Sequence, residues 1–66
     1  MWSKTLQEQT IEHFKTMPMA SMKQIGGTYG FCVYKDGQYV ITDMTSEEKY
    51  LFESMAALIK AKWVID

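Results

Sequence analysis

The chain has 66 residues, a formal charge of −1, and seven lysines mixed with eight acidic side chains. A chain of this length forms one domain and buries only about 60 % of the surface that its unfolded form exposes. Because Cys32 is the only cysteine and His13 the only histidine, the composition excludes an internal disulfide and a cysteine-rich zinc site.

Hydropathy and thiol content indicate the compartment. No apolar run approaches the 18 or so residues of a transmembrane helix, and residues 1–4 lead into a polar stretch. A lone thiol is typical of a reducing environment, so we expect a cytoplasmic protein with no membrane association. All the cations are lysine, and arginine, the side chain best suited to reading phosphates and guanine, is missing.

Residues 3–17 are predicted to form the first helix. Its apolar stripe falls at spacings of three and four residues: Trp2, Leu6, Thr10, Phe14 and Met17. Thr5 and Glu8 fit a capping box, with Ser3 as a competing N-cap. Pro18 ends the helix because it cannot donate a backbone hydrogen bond and restricts the residue before it.

A β-hairpin over residues 28–44 is the clearest local signal. Residues 18–27 are expected to be an irregular connector that leads into it. Two β-rich runs, residues 28–35 and 38–44, are then joined by Asp36 and Gly37. A two-residue Asp-Gly loop is typical of a type I′ turn, in which both central residues take positive φ.

The turn sets the register of the hairpin, so that Tyr34 faces Tyr39 and Cys32 faces Ile41. One face then carries Tyr29, Phe31, Val33, Val40, Thr42 and Met44, and the other carries Gly30, Cys32, Tyr34, Tyr39 and Ile41, with Asp43 at its end. Neither face is polar. Either one helix covers each face, or both helices cover the same face and leave the other exposed.

Residues 46–62 are predicted to form the second helix. Thr45 and Glu48 fit a capping box at its start, and a wide apolar face follows that includes Leu51. Residues 63–66 are compatible with a frayed helix end, a tail packed on the core or a short added strand. The expected fold is a single α+β domain of order α-β-β-α, in which two helices pack on a two-stranded antiparallel hairpin.

The residues that could carry chemistry are few. Met17, Met19 and Met22 lie near His13, a combination that can bind Cu(I), but methionine more often fills irregular gaps in small cores. Cys32 has no neighbouring base in sequence, because His13 belongs to a different element. We therefore expect no enzyme activity, no catalytic residues, no metal site and no cofactor.

The function expected from these features is that of a small protein-interaction or regulatory protein, of the inhibitor type, which acts by occupying the surface of a partner protein. Phe31 and Leu51 are assigned to the core. The surface that contacts a partner or a second copy is assigned to the opposite hairpin face, at Tyr34, Tyr39, Ile41 and Cys32.

A homodimer joined through the hairpin edges is also expected, because an isolated two-stranded sheet is marginal in water and pairing of edges would extend it. A small nucleic-acid-associated regulator is the alternative, since tyrosine and phenylalanine on a hairpin can stack on unpaired bases. It is disfavoured because the hairpin contains a single lysine, Lys35.

Overall fold

The structure is a computed structural model that describes residues 2–66. The elements in chain order are α1 (Lys4–Thr16), β1 (Met19–Gln24), β2 (Tyr29–Lys35), β3 (Gln38–Asp43), β4 (Lys49–Phe52), α2 (Met55–Lys60) and β5 (Trp63–Ile65). The strands form one five-stranded antiparallel sheet in the order β4-β3-β2-β1-β5. The predicted fold, a two-stranded hairpin with two helices, is therefore wrong, although the chain is an α+β domain.

The first helix is confirmed almost to the residue. Of the two candidate caps, Ser3 is the one used: its Oγ accepts a hydrogen bond from the Leu6 N–H at 3.2 Å. The helix ends where Met17 becomes extended (φ −122°, ψ 132°), as expected for a residue that precedes Pro18.

The central hairpin and its register are also confirmed. Asp36 (φ 52°) and Gly37 (φ 78°) both have positive φ, as a type I′ turn requires. Tyr34 lies opposite Tyr39, and Cys32 lies opposite Ile41. The local chemistry of the turn is therefore sufficient to place β2 against β3.

The predicted connector 18–27 is wrong, because it contains strand β1. This strand pairs with β2, with Met22 opposite Gly30, and alternates between a buried Met22 and an exposed Ser21. A tight turn closes the pair: Gln24 N–H donates to Thr28 O at 2.8 Å, and Gly27 takes φ 97°. Only long-range pairing reveals β1, since its own residues are too mixed in polarity to indicate a strand.

The predicted helix 46–62 is wrong as well. Asp43 Oδ1 accepts hydrogen bonds from the Thr45 and Ser46 N–H groups at 2.7 and 3.0 Å, and Glu47 takes φ 64°. The segment read as a capping box is therefore a turn, and it leads back into β4. The short helix α2 begins later, where Ser54 Oγ accepts from the Ala57 N–H at 3.1 Å.

The chain end forms the fifth strand. Lys62 takes φ 71° after α2, and β5 then pairs with β1, with Met22 opposite Ile65. Of the three possibilities left open for residues 63–66, the short added strand is the one observed.

Both helices pack on the same face of the sheet, which we call the inner face. Phe14 of α1 meets the ring of Tyr39, and Leu58 of α2 belongs to the central cluster, whose buried members are Met22, Cys32, Ile41, Leu58 and Trp63. Gly30 allows β3 and Trp63 to pack close to β2: a Cβ at Gly30 would lie 2.7 Å from Ile41 Cγ2, 2.9 Å from Thr42 O and 3.4 Å from Trp63 Cη2. Across residues 2–66, no helix has the length and apolar character needed to cross a bilayer.

Candidate interaction surface

The contact residues predicted from the sequence lie on the inner face. Cys32 and Ile41 are fully buried beneath the helices, so their assignment to an exposed patch is wrong. Tyr39 is half-buried, with its ring 5.3 Å from that of Phe14 in an edge-to-face arrangement. Tyr34 keeps 43 % of its surface exposed, and its ring centroid lies 4.6 Å from that of Tyr39. The predicted pair of tyrosines is therefore formed, but at the rim of the core.

Cys32 is a core side chain. Burial raises the pKa of its thiol to about 11. At neutral pH the side chain is therefore protonated and out of contact with water, the opposite of the exposed thiolate that nucleophilic chemistry uses.

The part of the chain that the structure describes contains no pocket and no cluster of three or more histidine, cysteine or acidic side chains placed to hold a metal ion.

The opposite side of the sheet, which we call the outer face, is open across strands β1–β4. Because side chains alternate along each strand, the registers define its members on these strands: Met19, Ser21, Lys23, Tyr29, Phe31, Val33, Lys35, Gln38, Val40, Thr42, Lys49 and Leu51. On β5, Val64 lies opposite Lys23 and is on the same side, but it is fully buried. The residues expected to form the core, Phe31 and Leu51, belong to this face, and they are 38 % and 62 % exposed. Their assignment to the core is wrong, because both helices pack on the other side.

An apolar row crosses four strands of the outer face. Met19 lies opposite Val33, Val33 opposite Val40, and Val40 opposite Leu51, so the four side chains stand in line across β1, β2, β3 and β4. The ends of this row are the most open, with Leu51 62 % and Met19 45 % exposed. Phe31 lies beside the row on β2. A contiguous exposed apolar surface of this kind is typical of a protein interface.

The charges on the outer face are all positive. Lys23, Lys35 and Lys49 project from it, whereas Asp43, the one acidic residue within the five strands, belongs to the inner-face set. The outer face therefore combines an apolar centre with lysines around it. The sequence did not reveal this pattern, because β1 and β4 were not predicted.

The hydrogen bonds from the Ser46 and Thr45 backbone hold the pKa of Asp43 below its ordinary value.

Of the two outer edges of the β2–β3 hairpin and the two outer edges of the whole sheet, three are occupied. The hairpin edges are paired, β2 with β1 and β3 with β4, so a dimer cannot form through them as was expected. The outer edge of β5 is closed by α1, since the Ile65 N–H donates to Thr10 Oγ1 at 3.0 Å. The edge of β4 has no strand beside it.

Comparisons of the chain with protein-family models, with curated proteins and with solved structures give no match. The geometry of the outer face is therefore the basis for a functional proposal.

Proposed function

We propose that this chain is a small interaction or regulatory protein that occupies the surface of a partner protein with its outer face. The observation that carries the proposal is the apolar row of Met19, Val33, Val40 and Leu51, flanked by the exposed ring of Phe31. In a domain this small, apolar side chains on an exposed sheet face contribute little to the core, and the free energy of unfolding is correspondingly low. A partner that buries them recovers that free energy.

The lysines define the chemistry of the partner. A surface complementary to the outer face has an apolar centre and carries acidic groups where Lys23, Lys35 and Lys49 approach it. Complementary charges of this kind accelerate association and select the partner, while the buried apolar contacts supply most of the affinity.

Single-stranded nucleic acid is the second candidate. Tyr29 and Phe31 lie two residues apart on the same side of β2. Together with the three lysines, their rings resemble a basic surface on which unpaired bases can stack. The aliphatic row argues against it, because valine, leucine and methionine offer no ring on which a base can stack.

A matched pair of variants tests the proposed function. Met19→Ser/Phe31→Ser removes two outer-face side chains that are 45 % and 38 % exposed. The control, Ile11→Ser/Met17→Ser, removes two apolar side chains of similar exposure, 39 % and 49 %, which lie in α1 and at its C-cap, outside that face. The wild type and both variants are each immobilised and exposed to an extract of the cells that produce the protein. Retained proteins are identified, purified and titrated against the wild type and the two variants.

We expect a purified partner to bind the wild type and the control with similar Kd, and the outer-face variant at least tenfold more weakly. Loss of binding in both variants, or in neither, would contradict the assignment of the interface. Oligothymidine is titrated in parallel at several salt concentrations. Binding whose affinity falls with a log–log slope of about 2, as three phosphate contacts would give, would favour the nucleic-acid alternative.

A further inference from the structure

We propose that two copies of this chain pair through the free edge of β4, with Leu51 facing Leu51 of the second copy, and so form one continuous ten-stranded sheet. The pairing does not depend on the proposed function, because it concerns the edge of the sheet and takes place without any partner.

The backbone of β4 has N–H and C=O groups on its outer edge that are oriented for such pairing. Asp43 N–H donates to Glu48 O at 2.8 Å, so in the alternation of an antiparallel ladder Glu48, Tyr50 and Phe52 direct their backbone groups towards β3. The N–H and C=O groups of Lys49 and Leu51 therefore point away from the sheet. An open edge of this kind is a template for another strand.

Charge selects the register. When Leu51 lies opposite Leu51 of the second copy, each Lys49 lies opposite Glu53 of the other chain, the residue directly after β4, two positions from the centre on either side. Lys49 and Glu53 are both exposed, and across residues 2–66 the only ion pair joins Lys15 to Glu12. A shift that centres Lys49 would instead place like charges directly opposite each other, which is unfavourable on a sheet.

The same register aligns the apolar rows. A two-fold axis perpendicular to the sheet at Leu51 places the outer faces of both copies on one side. The row from Met19 through Val33 and Val40 to Leu51 then continues, in reverse order, across the second copy. Charge pairing and alignment of the rows are independent consequences of one register, and both favour it over its neighbours.

Charge exchange at the edge tests the pairing. Lys49→Glu and Glu53→Lys each place like charges opposite one another, and we expect each to raise the dimer Kd at least tenfold in sedimentation equilibrium. The double variant Lys49→Glu/Glu53→Lys restores opposite charges and should recover the wild-type Kd. Lys35→Glu, an outer-face charge change on β2 away from the edge, should leave it unchanged. Circular dichroism confirms that each variant is folded.

A cross-link tests the register. Cα atoms of a hydrogen-bonded antiparallel pair lie about 5.5 Å apart, within the range of a disulfide. Leu51→Cys should therefore oxidise to a covalent dimer, while Lys35→Cys should not, and Cys32 is buried in both. A monomeric wild type at high micromolar concentration, or a dimer indifferent to the charge changes and not cross-linked at position 51, would overturn the proposal. That outcome would not contradict the proposed function, because partner binding by the outer face is measured separately, on Glu53→Lys.

Discussion

The hydroxyl of Thr10 joins the two ends of the chain, because it accepts a hydrogen bond from the Ile65 N–H across 55 residues of sequence. The same hydroxyl donates to Leu6 O at 2.9 Å, and the side chain is fully buried. Asp66 N–H donates to Ser21 O, so the neighbouring Ile65 N–H points away from β1. Thr10 thereby satisfies the outer edge of β5 and fixes α1 against it.

Replacing Thr10 by valine keeps the shape of the side chain and removes the acceptor. The partly buried Ile65 N–H then has no protein partner, and we expect a loss of about 1–3 kcal/mol in the free energy of unfolding. Urea titration measures the loss, and faster amide hydrogen exchange at Ile65 would locate it. Thr16→Val, at an exposed position of the same helix, is the control. Equal effects of the two variants would contradict a special role for Thr10.

Gly30→Ala should destabilise the core even though alanine suits a strand better than glycine does. The added Cβ would lie 2.9 Å from Thr42 O, a backbone atom, so the sheet itself must shift, and it would also press on Trp63. We expect a cost of about 1–3 kcal/mol, the usual range for overpacking. Gly26→Ala, where the nearest atom is Gln24 Oε1 at 3.9 Å, should be close to neutral. Thermal unfolding followed by circular dichroism compares the two.

Asp43 should contribute to stability in a pH-dependent way. Backbone hydrogen bonds from Ser46 and Thr45 lower its pKa from the ordinary value of 3.8. A carboxyl whose folded pKa is depressed stabilises the fold above 3.8, and this contribution is lost as the pH falls through the lower folded value. Asp43→Asn should therefore be less stable than the wild type at pH 7, and the difference should shrink towards pH 3. A difference in the free energy of unfolding that stays constant between pH 7 and pH 3 in urea titrations would contradict this. Asp36→Asn, in the exposed turn, is the control.

The parts of the fold that the sequence predicts are those that local chemistry determines. Ser3 and Pro18 bound α1, and Asp36 with Gly37 sets the hairpin register, because each acts through its neighbours in the chain. Long-range pairing, rather than their own residue pattern, forms the strands β1, β4 and β5, of which β4 and β5 have only four and three residues. The run Tyr50-Leu51-Phe52 is apolar throughout, so it fits a helix and a strand equally well.

The candidate site was missed for a related reason. Which hairpin face is covered depends on where α1 and α2 pack, and contacts such as Thr10 with Ile65 decide that at long range. The hairpin register gives the members of both faces correctly, but the choice of the Tyr34 and Tyr39 face as the exposed one was wrong. The lysine pattern was also incomplete, since Lys23 and Lys49 lie on strands that the sequence did not predict.

Cys32 should react with thiol reagents only when the domain opens. Its pKa of about 11 and its complete burial leave neither thiolate nor access. We expect modification by 5,5′-dithiobis(2-nitrobenzoic acid) at pH 8 to be slow in the native protein and immediate in urea. Lys35→Cys adds an exposed thiol that should react at once without denaturant. Rapid reaction of Cys32 in the native protein would contradict its place in the core.

Two methionines three residues apart test whether residues 19–24 form a strand with one side in the core. Met22 is fully buried on the inner face, whereas Met19 is 45 % exposed on the outer face, and both belong to β1. Met22→Ala should lower the free energy of unfolding by about 2–5 kcal/mol, because it removes contacts and leaves a cavity. Met19→Ala should change it by no more than about 0.5 kcal/mol, as is usual for a surface position. Chemical denaturation of the two variants measures both values. In an irregular connector the two methionines would have similar, small effects, so equal losses would refute the strand and with it the apolar row that begins at Met19.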